Sequence, residues 1–138
     1  MNILSGTLLL VTALMSFPAS AQEAAALRQE CSSGRSHIEM RACIRAKMEE
    51  STRELRKAED EMRKSLKAWR EEPSIFQSSA ANFDDSIKEF HSYRKAQCEL
   101  SASLAAGDNS QDDIRLSCIY ELNLKRVIQI NQDRAFVQ

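Results

Sequence analysis

The stretch Ser36–Trp69, SHIEMRACIRAKMEESTRELRKAEDEMRKSLKAW, decides the fold. Ser36 with Glu39 three residues on has the form of a capping box. The hydroxyl accepts from the backbone of the first turn and the carboxylate reaches back. No glycine or proline follows until Pro73, so one long helix is expected from Ser36 toward that proline. Met48, Leu55, Met62 and Trp69 recur every seven residues, and Ser51, Ala58 and Ser65 each follow by three. Ile44 and Leu66 widen the stripe. Such a seam faces the core of a bundle or a coiled coil. The other faces carry Glu49/Arg53, Glu59/Arg63 and Asp60/Lys64, acid before base at i,i+4. Each pair supports a helix by about 0.3 kcal/mol, and these faces read as solvated surface.

The flanks extend the same pattern. Gln22 to about Glu30 is Ala-rich and forms a short helix, broken by Cys31-Ser32-Ser33-Gly34. Pro73 to Asn82 reads as a loop. A third helix is expected from near Phe83 to about Ala106, with a seam of Phe83, Ile87, Phe90, Leu100 and Leu104. Gly107-Asp108-Asn109-Ser110 stops it. Ser110 then resembles another N-cap, with Asp112 and Asp113 in the first turn where the helix dipole favours acids. The fourth helix continues to about Asn131. The expected fold is all-α: an antiparallel bundle of a short first helix and three longer ones, forming one domain over residues 22–138.

Composition agrees. A chain of 138 residues accommodates one domain. Its 19 basic and 20 acidic residues leave a net charge of −1, which argues against a nucleic-acid partner. Three glycines and two prolines exclude collagen-like and Pro/Gly-rich disordered classes. Few β-branched residues among many Ala, Leu, Glu, Lys and Arg favour helix over sheet.

Residues Ile3 to Phe17 are uncharged and largely apolar, and Pro18-Ala19-Ser20-Ala21 follows them. Small residues at Ala19 and Ala21 form the A-x-A pattern of a signal-peptide cleavage site, so residues 1–21 read as a signal peptide removed after Ala21. The run is shorter than the roughly 20 residues of a transmembrane helix. No second apolar stretch exists, so the product is expected to be soluble, periplasmic or secreted, without a membrane anchor.

Cys31, Cys43, Cys98 and Cys118 remain after cleavage. An even number in a short exported chain implies two disulfides. Cys98 and Cys118 lie symmetrically about residue 108, the centre of the Gly-Asp-Asn-Ser turn. Residues equidistant from the turn of an antiparallel helix pair face each other, so these two are paired. Cys31 and Cys43 bracket the turn before the long helix in the same way. Each closed loop stabilises by about 3 kcal/mol in the chain-entropy view.

The order of these features resembles a known family. Cys31 followed by Ile38-Glu39-Met40-Arg41-Ala42-Cys43 is similar to its E-M-x-x-C start. Ser86-Ile87-Lys88-Glu89-Phe90-His91-Ser92-Tyr93-Arg94-Lys95-Ala96-Gln97-Cys98 resembles S-x-x-x-W-x-x-Y-R-x-x-x-C, with Phe90 for the usual Trp. Cys118 with Asn123, Arg126 and Ile130 resembles C…T-x-x-R-x-x-x-L, with Asn123 for the usual Thr. Together these resemble the LprI-type lysozyme-inhibitor family of small exported bacterial proteins, across roughly residues 28 to 131. The resemblance implies a binding protein whose partner is a lysozyme.

Catalytic and cofactor chemistry has little material. His37 and His91 are far apart, no Cys-x-x-Cys occurs, and a zinc or haem site would need cysteines that are expected to be oxidised. No Gly-rich phosphate loop or G-x-S-x-G elbow is present. Neither an enzyme nor a cofactor is expected, and nothing specifies an oligomer.

Arg94 stands near the apolar seam between Phe90 and Cys98, where a charge needs a partner. It is expected to bond a carboxylate or helix carbonyls while its stem packs on the core, with Tyr93 and Gln97 in the same network. The alternative is a surface contact to a partner, and Arg126 reads the same way. Asp108, Asp112 and Asp113 cluster at the turn before helix four. They cap and complement that helix, or they form an acidic loop offered to a basic partner. Animal-type lysozymes are strongly basic with acidic clefts, which makes these three the candidate partner-binding residues. A structural or stress-related helical module, chaperone-like included, is the second functional class. A consumed apolar seam favours the inhibitor or scaffold, and an exposed one favours the chaperone.

Overall fold

The computed structural model describes residues 20–105 and 110–137. They form α1 (Ser20–Ser32), α2 (His37–Ala68), α3 (Pro73–Ser103) and α4 (Gln111–Arg134), closed by a 3-10 turn at Ala135–Val137. No strand occurs among the described residues, so the all-α expectation holds. Asp108 and residues 1–19 of the expected signal peptide lie outside the described residues.

The capping box forms as its sequence implies. The Ser36 hydroxyl accepts from the Glu39 amide, and the Ser36 amide donates to Glu39 Oε2 at 2.8 Å. These bonds hold the Glu39 carboxyl below the usual glutamate range, chiefly through the Ser36 backbone. Gly34 supplies the reversal before it, with φ +68°, in the left-handed region that glycine adopts without a Cβ clash. The Arg35 guanidinium folds back onto the end of α1, donating to the carbonyls of Glu30 and Cys31 at 2.8 and 3.1 Å.

One expectation is overturned. Residues 73–82 are not a loop: α3 starts at Pro73 itself. Proline at the first helical position has a preset φ, and its missing N–H would have no intrahelical acceptor there. Glu72 before it is extended, and its carbonyl accepts from Ile75 and Phe76 at 2.9 and 3.1 Å. Phe76 and Phe83, one on each side of the expected boundary, both pack on the core, which explains why the helix runs through.

Helix directions follow from which residues meet. Arg41–Asp113, Ser51–Asn123 and Glu61–Arg134 join α2 to α4 at offsets of 72, 72 and 73 residues. A constant offset means that α2 and α4 run parallel. α3 runs against both: Cys98–Cys118, Arg94–Asn123 and Ser86–Arg126 step in opposite directions along α3 and α4. Successive long helices are thus antiparallel, and α4 packs against all three others.

Both disulfides pair as the turn symmetry requires. Cys31–Cys43 ties α1 to α2 with Cα atoms 5.6 Å apart, and Cys98–Cys118 ties α3 to α4 at 5.5 Å. The main core gathers Leu55, Ala58, Met62, Leu66 and Ile130, ringed by Trp69, Phe76, Phe83 and Phe90. A second cluster around Leu27, Cys31 and Ile44 seals α1 onto α2 and α4. The α2 seam is therefore consumed by the fold, every expected position on it being buried or half-buried.

The α3 seam departs from expectation at its C-terminal end. Leu100 and Leu104 are exposed, while Cys98 and Ala102 are buried. The inward face runs Phe83, Ile87, Phe90, Arg94, Cys98 and Ala102, which keeps the 3.6-residue period through an arginine. Apolar residues alone give the wrong face here because the face carries a charge.

Candidate functional site

The buried polar residues lie on α2 and α4, and half-buried Arg94 of α3 joins them. Asn123 of α4 is fully buried and is the hub. Its amide nitrogen donates to Ser51 Oγ at 3.0 Å and Thr52 Oγ1 at 3.1 Å on α2, and its oxygen accepts from Arg94 Nη1 on α3. Three helices thus meet at one side chain whose hydrogen-bonding capacity is nearly saturated.

Arg94 finds its partner in that amide and not in a directly bonded carboxylate. Its other terminal nitrogen donates to His91 Nδ1 at 3.0 Å, and its guanidinium lies 5.6 Å from the centre of the Phe90 ring. Arg126 covers the same ring at 5.5 Å and donates to Ser86 Oγ at 2.6 Å. Phe90 therefore takes two guanidinium groups, each interaction contributing roughly 0.5–2 kcal/mol. The structural reading of Arg94 and Arg126 fits these contacts. Tyr93 does not share them: it is 54% exposed and points to a groove between α1 and α3, which Gln97 also lines.

Glu59 completes the network. Its i,i+4 spacing to Arg63 reads as solvated surface, yet it is buried with Oε1 3.6 Å from His91 Nε2. Arg63 binds Asp60 and Asp84 instead, at 3.3 and 3.1 Å. The signal was present: Glu59 follows Leu55 by four and precedes Met62 by three, which puts it on the seam. Glu59 Oε1 has no hydrogen-bond partner. It supplies the negative charge for Arg94, whose guanidinium burial pulls below its usual value while Glu59 counteracts.

His91 is held neutral. Burial lowers its pKa first, the Arg94 charge second, and Glu59 opposes both. Because Arg94 donates to Nδ1, that nitrogen is the acceptor and the ring proton sits on Nε2, toward Glu59.

The acidic residues at the start of α4 divide into two kinds. Asp113, a candidate contact residue, is 1% exposed, and Arg41 Nε donates to it at 3.1 Å from α2. It is withdrawn from any partner. Asp112 is on the surface, where Arg115 clamps it together with Glu99, the latter by paired bonds of 2.8 and 3.1 Å. Those two acids raise the Arg115 pKa.

Among the described residues no group of three or more His, Cys, Asp and Glu is placed to hold a metal ion, and no helix is long and apolar enough to cross a membrane. The polar network joins α2, α3 and α4.

The family model described as Lysozyme inhibitor LprI matches residues 20–130. This chain belongs to the LprI lysozyme-inhibitor family. The matched span holds both disulfides, the whole Asn123–Arg94–Glu59 network and the Arg41–Asp113 pair. Phe90 and Asn123, the two positions that differ from the pattern the chain resembles, both sit inside that network. No curated protein and no solved structure matches the chain.

Proposed function

We propose that the protein is an exported inhibitor that binds a lysozyme and occludes it by protein–protein contact, with no catalysis of its own. The LprI match across nearly the whole described chain carries this reading. Residues 1–21 act as the signal peptide: the apolar run from Ile3 and the Ala19-x-Ala21 pattern support cleavage after Ala21. Two disulfides suit the oxidising compartment to which such a segment delivers the chain. A bundle with α1 stapled to α2 and α3 stapled to α4 also keeps its surface ordered, which lowers the entropic cost of binding. The acidic turn before α4 remains part of the contact through Asp108 and Asp112, since a basic enzyme is drawn to acids at the rim.

The test is lysis of bacterial cell walls by lysozymes of several classes, with and without the mature protein. Inhibition of one class at near-stoichiometric protein supports the reading, and inhibition of none overturns it.

A second reading has one observation in its favour. Tyr93, Leu100, Leu104 and Ile128 are all more than half exposed, as in a module that holds unfolded chains. Suppression of aggregation of an unfolded test protein, without lysozyme inhibition, would select it.

A further inference from the structure

α1 and α3 stand on either side of α4 and leave an open groove of about 530 Å³ between them. Ile114, Cys118 and Leu122 of α4 form an apolar floor, with Arg28 of α1 and Tyr93 of α3 on opposite walls. Among the described residues seven large apolar side chains are strongly exposed; Tyr93 lines this groove, and Leu100, Leu104 and Ile128 lie in helical register with its lining residues. Tyr93, Leu100 and Leu104 fall at i, i+7 and i+11 on α3, the face that Gln97 and Ser101 turn to the groove. Ile128 follows the groove residue Lys125 by three on α4. An apolar rim concentrated along one concavity marks an interaction site rather than scattered surface.

The charges in the groove are unequal. Lys125 is neutralised by Glu121 on its own helix. Arg28 is half-buried and has no ion-pair or hydrogen-bond partner among the described residues. A guanidinium held part-way into an apolar groove without a counter-ion is complementary to a carboxylate, which it binds through two parallel hydrogen bonds.

Resting on the inhibitor reading, we infer that this groove is where the chain grips its lysozyme. It takes a protruding segment of the enzyme that lays an apolar side chain on Leu122 and the Cys98–Cys118 disulfide and brings a carboxylate to Arg28. The open shape of the groove suits a segment lying between two helices, the way grooves of this kind take peptide elements. The disulfide fixes the separation of α3 and α4, so the floor is formed before the enzyme arrives.

Two variants test the assignment in the lysozyme assay: Arg28→Glu, and Tyr93→Ala combined with Leu104→Ser. All three positions are partly or largely exposed, so melting temperatures stay near the wild-type value. Each variant is expected to weaken inhibition by about tenfold or more, as loss of an interface anchor does, whereas Arg28→Lys, which keeps the charge but not the paired hydrogen bonds, weakens it less than Arg28→Glu. Phe136→Ser, an exposed apolar change away from the groove, serves as the control and leaves inhibition unaltered. Undiminished inhibition by both groove variants overturns the assignment while the inhibitor reading stands. A wild-type protein that inhibits no lysozyme removes the reading and the assignment together. Groove-dependent capture of unfolded chains in that case assigns the surface to another partner and equally overturns it.

Discussion

Asn123 of α4 donates to Ser51 of α2 at 3.0 Å, both side chains fully shielded from water, across 72 residues of sequence. Arg41 and Asp113 meet across the same 72 residues one end further along, so two polar contacts fix the register of the parallel α2–α4 pair. Apolar side chains would tolerate a slip of one turn. A saturated amide and a buried carboxylate do not, because a slip leaves each without its partner.

Substitution of the hub measures that claim. Asn123→Ala removes one partner each from Arg94, Ser51 and Thr52 and opens a small void. It is expected to cost about 2–4 kcal/mol in a denaturant titration, from the usual penalty for unpaired buried groups. Asn123→Thr restores the residue usual in the family pattern and keeps a hydroxyl, so it should lie between wild type and alanine. Equal stability of all three proteins would show that the amide contributes nothing to the register.

Stability between pH 7.5 and 5.5 reports on His91. Its folded pKa is depressed below the ordinary value of 6.5, so the unfolded chain takes up the proton first as pH falls. The contribution is complete above about pH 6.5 and is lost on acidification toward the folded pKa. The Glu39 and Glu61 carboxyls, both held low by their partners, act only at more acidic pH. Thermal melts of the wild type should therefore fall across this window more steeply than those of His91→Asn. Parallel melts of the two proteins would remove His91 from the account.

Glu59 is the group that opposes the depression of His91, so its removal has a predictable sign. Glu59→Gln should lower the His91 titration midpoint further, seen in the imidazole resonances of an NMR pH series. The same change withdraws the countercharge of Arg94 and should reduce stability by about 1–3 kcal/mol. A midpoint that does not move would mean that His91 does not sense Glu59.

Much of this arrangement was legible in the chain. Ser36 and Glu39 state a helix start in their own chemistry, and the spacing of Met48, Leu55, Met62 and Trp69 states its inward face. Cys98 and Cys118 could be paired because a turn centred on residue 108 makes their opposition a matter of geometry. What escaped detection were polar residues on inward faces. Glu59 reads with its charged neighbours, although its register with Leu55 and Met62 puts it on the seam. Leu100 and Leu104 read as core by their apolar character, whereas the smaller Cys98 and Ala102 beside them hold the inward positions. Pro73 reads as a boundary marker, yet at a first helical turn proline starts a helix as readily as it stops one.

Asp112 and Asp113 are adjacent in sequence, yet they lie in different environments, and the last prediction rests on that contrast. Asp113→Asn removes a buried charge that Arg41 and the N-terminal end of α4 both stabilise. The loss is expected to be about 1–3 kcal/mol in a denaturant titration, moderated because the side chain of Arg41 is 43% exposed. Lysozyme inhibition at temperatures where the variant stays folded should be unchanged, because nothing of Asp113 reaches the surface. Asp112→Asn behaves in the opposite way. Its carboxylate is exposed and shares Arg115 with Glu99, so stability changes by no more than about 0.5 kcal/mol. Any effect appears in lysozyme inhibition, as slower association that is strongest at low salt. Weaker inhibition by Asp113→Asn with wild-type stability would reverse the two roles and restore both acids to the contact surface.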